Sequence, residues 1–147
     1  MIGKADAFEG LIKNSRVEQR VRVLTGEAHA KSENYKEAAV AYEAASNLKG
    51  ADASEALFRL GLVRLNHLQD FKAAAKVFRE FTDKFKSSSK RPDASFNEAL
   101  CYYQSYYAGE KPHLAEAIEL FGGFARANSK HKLAETAQFY VGKLEHI

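Results

Sequence analysis

Between Ser54 and Phe85 apolar side chains recur at helical intervals in two successive runs, with a few polar residues between them. In the first run Ala56, Leu57, Leu60 and Gly61 fall at i, i+1, i+4 and i+5, which a period of about 3.6 residues places on one side. In the second, Phe71, Ala74, Ala75, Phe78, Phe81 and Phe85 make a single stripe. Two amphipathic helices joined by a short turn bury such stripes by folding back on one another, so the pattern predicts a helix hairpin. Glycine inside a helix costs about 1 kcal/mol relative to alanine. Gly61 therefore needs a packing reason, and the simplest is a neighbouring helix crossing closely there. Ala74 offers the same small contact on the second helix.

The same arrangement recurs along the chain. Gly26, Gly61, Cys101 and Gly142 each sit in the middle of a first helix, at separations of 35, 40 and 41 residues. Each second helix shows an alanine followed four residues later by an aromatic: Ala38 and Tyr42, Ala74 and Phe78, Ala117 and Phe121. In order, eight helices are expected. A short one over KADAFEGLIKN puts Phe8, Leu11 and Ile12 on one face and covers the end of the array. Longer ones follow from about Arg16 to Ser32 and Tyr35 to Asn47, with Gly50 as a helix stop. The central hairpin ends in the serine-rich, basic linker KFKSSSKRPD. Pro92 and Pro112 read as first positions of the next two helices, which run to about Tyr107 and Arg126. Ser129 reads as the N-cap of a last helix carrying Leu133, Ala137, Tyr140, Val141 and Leu144.

Self-similarity at a period of roughly 34 to 40 residues is the mark of helical repeat arrays. The segments LTGEAHAKSENYKEAAVAYEAA, LGLVRLNHLQDFKAAAKVFREF and LCYYQSYYAGEKPHLAEAIELFGGF resemble the tetratricopeptide repeat family over roughly residues 20 to 147. That resemblance implies an all-α fold: a right-handed superhelix of antiparallel helix hairpins in one domain, residues 1–147. It implies about three repeats, near 19–50, 54–88 and 92–127, with a short N-terminal helix and an unpaired terminal helix near 131–146. The family's usual tryptophan is absent, Cys101 stands where a glycine is usual, and the inter-helix turn lengthens in the second and third repeats. Two pieces, KSSSKRPDASFNEALCYY and ANSKHKLAETAQFYVGKL, resemble bacterial envelope members of the family, the outer-membrane assembly lipoproteins and the periplasmic partner of the Tol-Pal system. That narrower likeness implies a bacterial origin, although no lipobox cysteine lies near the N-terminus.

In such repeats the first helices line a concave face, so the resemblance assigns candidate partner contacts there. They are Arg20, Glu27 and Lys31 on the first repeat and Phe58, Leu62, Leu65 and Asn66 on the second. On the third they are Glu98, Tyr102, Ser105 and Tyr106, with Phe139, Lys143 and His146 on the last helix. A groove with an aromatic floor and charged ends suits an extended peptide or an amphipathic helix. This reading expects Phe58, Leu62, Tyr102 and Tyr106 to be at least partly exposed. The plainer reading makes these rings core residues, and exposed apolar patches also serve self-association into homo-oligomers. A family subgroup grips the C-terminal carboxylate of chaperones with lysine and asparagine from first helices. Here those places hold Val23, Glu27 and Ala30, then Phe58, Leu62 and Leu65, so that pattern is absent.

Composition narrows the remaining classes. A chain of 147 residues with 46% hydrophobic and 28% charged side chains suits one domain with a core. A net charge of +3 is far below what nucleic-acid binders usually carry. The basic residues Lys84, Lys86, Lys90, Arg91, Lys130, His131 and Lys132 lie in loops without interleaved stacking aromatics, and read as solvated. No apolar run approaches the roughly 18 residues a membrane crossing needs. No secretory signal is visible, so the expected location is cytoplasmic, or periplasmic if a leader has been removed. The histidines His29, His67, His113, His131 and His146 are scattered without metal-like spacing. Cys101 reads as a buried thiol, and Gly122–Gly123 lies inside a helical pattern rather than a phosphate loop. No cofactor, metal or catalytic set is expected. The sequence points to a non-enzymatic scaffold or adaptor for another protein, with a self-assembling module or an envelope-assembly component as the alternative.

Overall fold

Among the described residues the apolar stripes read from the sequence lie on helices. A computed structural model describes residues 15–110 and 113–147. The opening helix expected over KADAFEGLIKN and the helix start expected at Pro112 lie outside the described residues. Among the described residues there are seven helices and no strand: α1 (Ser15–Lys31), α2 (Tyr35–Ser46), α3 (Ala53–Asn66), α4 (Phe71–Lys84), α5 (Arg91–Tyr107), α6 (Leu114–Ala127) and α7 (Ala134–Glu145). The fold is all-α, its helices joined by short connections.

The chain divides into two compact units, Met1–Leu68 and Gln69–Ile147. In the first, α1 packs on α2 and α2 on α3. Its core includes Val23, Ala45 and Ala56, all 0% exposed. A side-chain carbon added at Gly26 would lie 2.6 Å from Cε1 of Tyr42, so the ring of α2 occupies the notch that glycine leaves in α1. Gln19 staples the α2–α3 turn from below. Its carboxamide donates to the carbonyls of Ala45 (3.1 Å) and Leu48 (2.7 Å) and accepts from the Asp52 N–H (3.1 Å). This is why the turn carries Gly50: a side-chain carbon there would sit 2.2 Å from Gln19 Oε1. α2 ends at Ser46 with Asn47 as its C-cap, within one residue of the expected end, and Gly50 lies in the turn beyond it.

In the second unit α4 packs on α5, α5 on α6 and α6 on α7. Its core is a run of aromatics. Phe96 meets Phe121 and Phe124 edge-on at 5.4 and 5.5 Å. Tyr140 stacks on Phe121 at 4.8 Å and meets Tyr103 edge-on at 4.7 Å. Ala99, Ala117 and Ala137, each fully buried, make the room for these rings.

The alanine–aromatic pairs are buried in all three second helices. Ala38, Ala74 and Ala117 are 0% exposed, and Tyr42, Phe78 and Phe121 are at most 2% exposed. Gly142 is no such notch, because a side-chain carbon there would meet no atom within 4 Å. The Ser129 cap is also corrected. From Asn128 the chain runs through turns, with His131 N–H donating to Asn128 O at 2.8 Å and Ala134 N–H to His131 O at 3.0 Å. Leu133 takes the N-cap position, with no side-chain cap bond, and the His131 ring braces the turn before it, its Nδ1 accepting from the Leu133 N–H at 3.1 Å. Asp93, 3.4 Å from Nε2, holds that ring in place.

Candidate functional site

In the first unit the expected contact residues fall into two environments. Phe58 and Leu65 are buried, at 9% and 6% exposure, which corrects the expectation that Phe58 would be partly exposed. Leu62 is half-buried and Asn66 exposed. They share a pocket of about 220 Å³ with Tyr42, Arg59, Val63 and His67. His67 in turn stacks on Tyr35 with ring centroids 3.8 Å apart. Arg59 organises this pocket and was missed in the sequence. Its guanidinium bridges Glu27 (3.0 Å) on α1 and Glu55 (2.9 Å) on its own helix. Burial works against its charge, but the Tyr42 hydroxyl, Glu55 and Glu27 together hold its pKa above the ordinary arginine value. The i,i+4 spacing of Glu55 and Arg59 was the one signal available. Arg20 and Lys31 are exposed, with Arg20 3.9 Å from Asp52.

In the second unit Glu98 is 4% exposed, and Ser105 is 2% exposed. Ser105 donates its hydroxyl to Glu110 Oε2 at 3.0 Å, which braces the end of α5. One oxygen of Glu98 accepts both Nε and Nη2 of Arg79, each at 3.0 Å, tying α4 to α5. Burial raises the Glu98 pKa above 4.5, Arg79 opposes the rise and Asp83 adds to it. The folded chain therefore binds a proton at Glu98 more tightly than the unfolded chain does. The stability this group contributes is full below pH 4.5 and falls as pH climbs through its raised folded value. Arg79→Ala is expected to lower the unfolding free energy by about 1–2 kcal/mol at neutral pH, by leaving a buried carboxylate unpaired. That loss should shrink as the pH is lowered towards the ordinary carboxylate range. Urea unfolding at a series of pH values measures it, and a pH-independent loss would count against a charged Glu98.

Tyr102 and Tyr106 are half-buried on α5. Burial, then the Glu98 charge, raises the Tyr102 pKa, so its hydroxyl stays protonated at neutral pH and can donate. Phe139 is 65% and Tyr107 53% exposed. Lys143 reaches from α7 over the Tyr103 and Tyr107 rings, 5.5 and 5.8 Å from their centroids. Its pKa is raised, first by the hydrogen bond to the Tyr103 hydroxyl. Tyr106 meets Tyr107 edge-on at 5.3 Å, and Phe139 meets Tyr140 at 5.8 Å. The structure thus gathers Tyr106, Phe139 and Lys143 around Tyr103, Tyr107 and Tyr140 within one unit. Tyr102 lies in a cavity lined by Asp70, Lys72, Ala73, Ala75, Lys76 and His113. His146 is exposed at the end of α7. Tyr103 and Tyr107 were missed because helical spacing alone assigns them to the core.

Among the described residues no three metal-capable side chains converge, and no helix is long and apolar enough to cross a membrane. Cys101 is fully buried, and burial drives its thiol pKa far upward. Helices paired in sequence, with small residues receiving rings from the next helix, define an all-α helical repeat protein. The tetratricopeptide repeat model matches residues 26–89, and over that span the chain is similar to this family. No curated protein matches the chain. Repeats of this family generally mediate protein–protein interaction.

Proposed function

We propose that the chain is a non-enzymatic adaptor that holds a peptide or amphipathic helix of another, bacterial protein. The proposed contacts are Arg20, Glu27, Lys31, Leu62 and Asn66 in the first unit, with Phe58 and Leu65 beneath them. In the second they are Glu98, Tyr102, Tyr106, Phe139 and Lys143. The observation that carries this reading is the ring cluster around Lys143 on α5 and α7, in which Tyr107 and Phe139 are exposed, in a chain similar to tetratricopeptide repeats. Aromatic rings bury large area for little lost side-chain entropy, and one flanked by a cation also discriminates among partners. Partner capture by immobilised wild-type chain, compared with a Tyr102→Ala/Tyr106→Ala double variant of unchanged helicity, tests it. Removing two aromatic anchors should weaken capture at least about 10-fold. Unchanged capture by the folded variant would end the groove reading.

A second reading rests on α1. Val17, Val21 and Leu24 follow one another at helical spacing and are 42%, 38% and 48% exposed. Such a stripe supports a self-assembling module, and light scattering across concentration separates the two: a strict monomer excludes it.

A further inference from the structure

Beside Tyr102 lies a cavity of about 600 Å³, within the range of pockets that take small ligands or side chains. Its α4 wall carries Lys72 and Lys76, one helical turn apart and both exposed. Among the described residues neither lysine joins an ion pair, whereas Arg59, Arg79 and Lys84 are all engaged with carboxylates. The acidic groups nearby are already committed or remote. Asp70 caps its own helix by accepting the Ala73 N–H at 3.3 Å, and Glu98 is paired with Arg79. Glu116 is the remaining carboxylate whose charge Tyr102 feels. Opposite the lysines stand Tyr102 and His113, with ring centroids 5.2 Å apart. The buried Nδ1 of His113 has no hydrogen-bond partner among the described residues. Its ring can therefore turn about Cβ–Cγ towards the cavity without breaking a hydrogen bond at that nitrogen. The floor is small and apolar, formed by Ala73 and Ala75.

Two free cations, a hydroxyl donor and an unsatisfied imidazole nitrogen around one cavity call for an anion. The cations are both lysines, point charges that impose no bidentate geometry, so the single carboxylate of a flexible side chain satisfies them. We propose that this cavity receives a carboxylate side chain from an acidic segment of a partner protein, held by Lys72 and Lys76 and by the Tyr102 hydroxyl. The proposal rests on the adaptor reading for the nature of the partner, but its residues on α4 and at His113 lie outside the contacts assigned there.

The test is fluorescence anisotropy with labelled hexaglutamate and the full chain at low salt. Wild type should bind, and Lys72→Ala/Lys76→Ala should bind about 10-fold more weakly, the scale of two exposed ion pairs. Lys130→Ala/Lys132→Ala, which removes the same charge from the loop before α7, should bind as wild type. His113→Phe should also weaken binding while leaving helicity unchanged. Absence of hexaglutamate binding, or equal loss in the two lysine variants, would overturn the proposal. So would displacement of the peptide by inorganic phosphate at concentrations where acetate has no effect. Partner capture that depends on Tyr102 and Tyr106 but survives Lys72→Ala/Lys76→Ala would sink this site alone. Hexaglutamate binding that needs the lysines, with no tyrosine-dependent capture, would keep the cavity and sink the adaptor groove.

Discussion

Phe121→Ala lowers the unfolding free energy of the chain by about 3–5 kcal/mol, the usual range for deleting a buried ring. Phe121 is 0% exposed. It lies between the edge of Phe96 at 5.4 Å and the stacked face of Tyr140 at 4.8 Å. Those neighbours are rigid rings anchored on α5 and α7, so they cannot collapse into the space left behind. The cavity term therefore adds to the lost transfer energy, and two aromatic pairs of about 0.5–1.5 kcal/mol each are lost with it. Urea unfolding followed by circular dichroism measures the change. A loss under about 1 kcal/mol would mean that the α5–α6–α7 ring cluster does not hold the second unit together.

Gly26→Val is the second large effect, expected at about 3 kcal/mol, the upper end for overpacking. A side-chain carbon at this position meets Cε1 and Cδ1 of Tyr42 at 2.6 and 2.7 Å. The Tyr42 ring is 2% exposed, so it has little room to swing. Replacing glycine in a helix ordinarily gains up to about 1 kcal/mol, and here the clash outweighs that gain. Gly142→Ala makes the contrast within the same chain. Nothing lies within 4 Å of the new carbon, so the propensity gain stands alone and the variant should be slightly more stable. Thermal or urea unfolding of the pair decides it, and destabilisation by both would show that backbone freedom, not ring packing, selects glycine at these sites.

These two glycines also show what a sequence can reveal. Ala38 and Tyr42, Ala74 and Phe78, Ala117 and Phe121 were legible because spacing within one helix determines which side chains share a face. All six are buried as that spacing requires. The helix order and most boundaries were legible for the same reason. What meets a face depends on another helix, and no local period encodes it. Gly26 receives a ring and Gly142 does not, though both sit mid-helix. Phe58 follows the groove spacing yet is buried. The Gln19 staple joins residues 26 to 33 positions apart, and the Arg79–Glu98 pair joins residues 19 apart. Such contacts leave only an unremarkable polar residue in the sequence. The cavity beside Tyr102 was illegible because Lys72, Lys76 and His113 come from α4 and the stretch before α6, and only the fold makes them neighbours.

Cys101 gives the second unit a gauge of its own motion. It is the chain's single cysteine, placed mid-way along α5 with no surface open to solvent. Burial keeps it a neutral thiol, so an alkylating reagent gains access only when α5 parts from its neighbours. The rate of modification then follows the population of that opened form. Breathing of the ring cluster can thus be read by mass spectrometry on the natural protein, with no label introduced. An occupant of the Tyr102 cavity, gripping both α4 and α5, should slow the reaction in proportion to how firmly it binds the closed form.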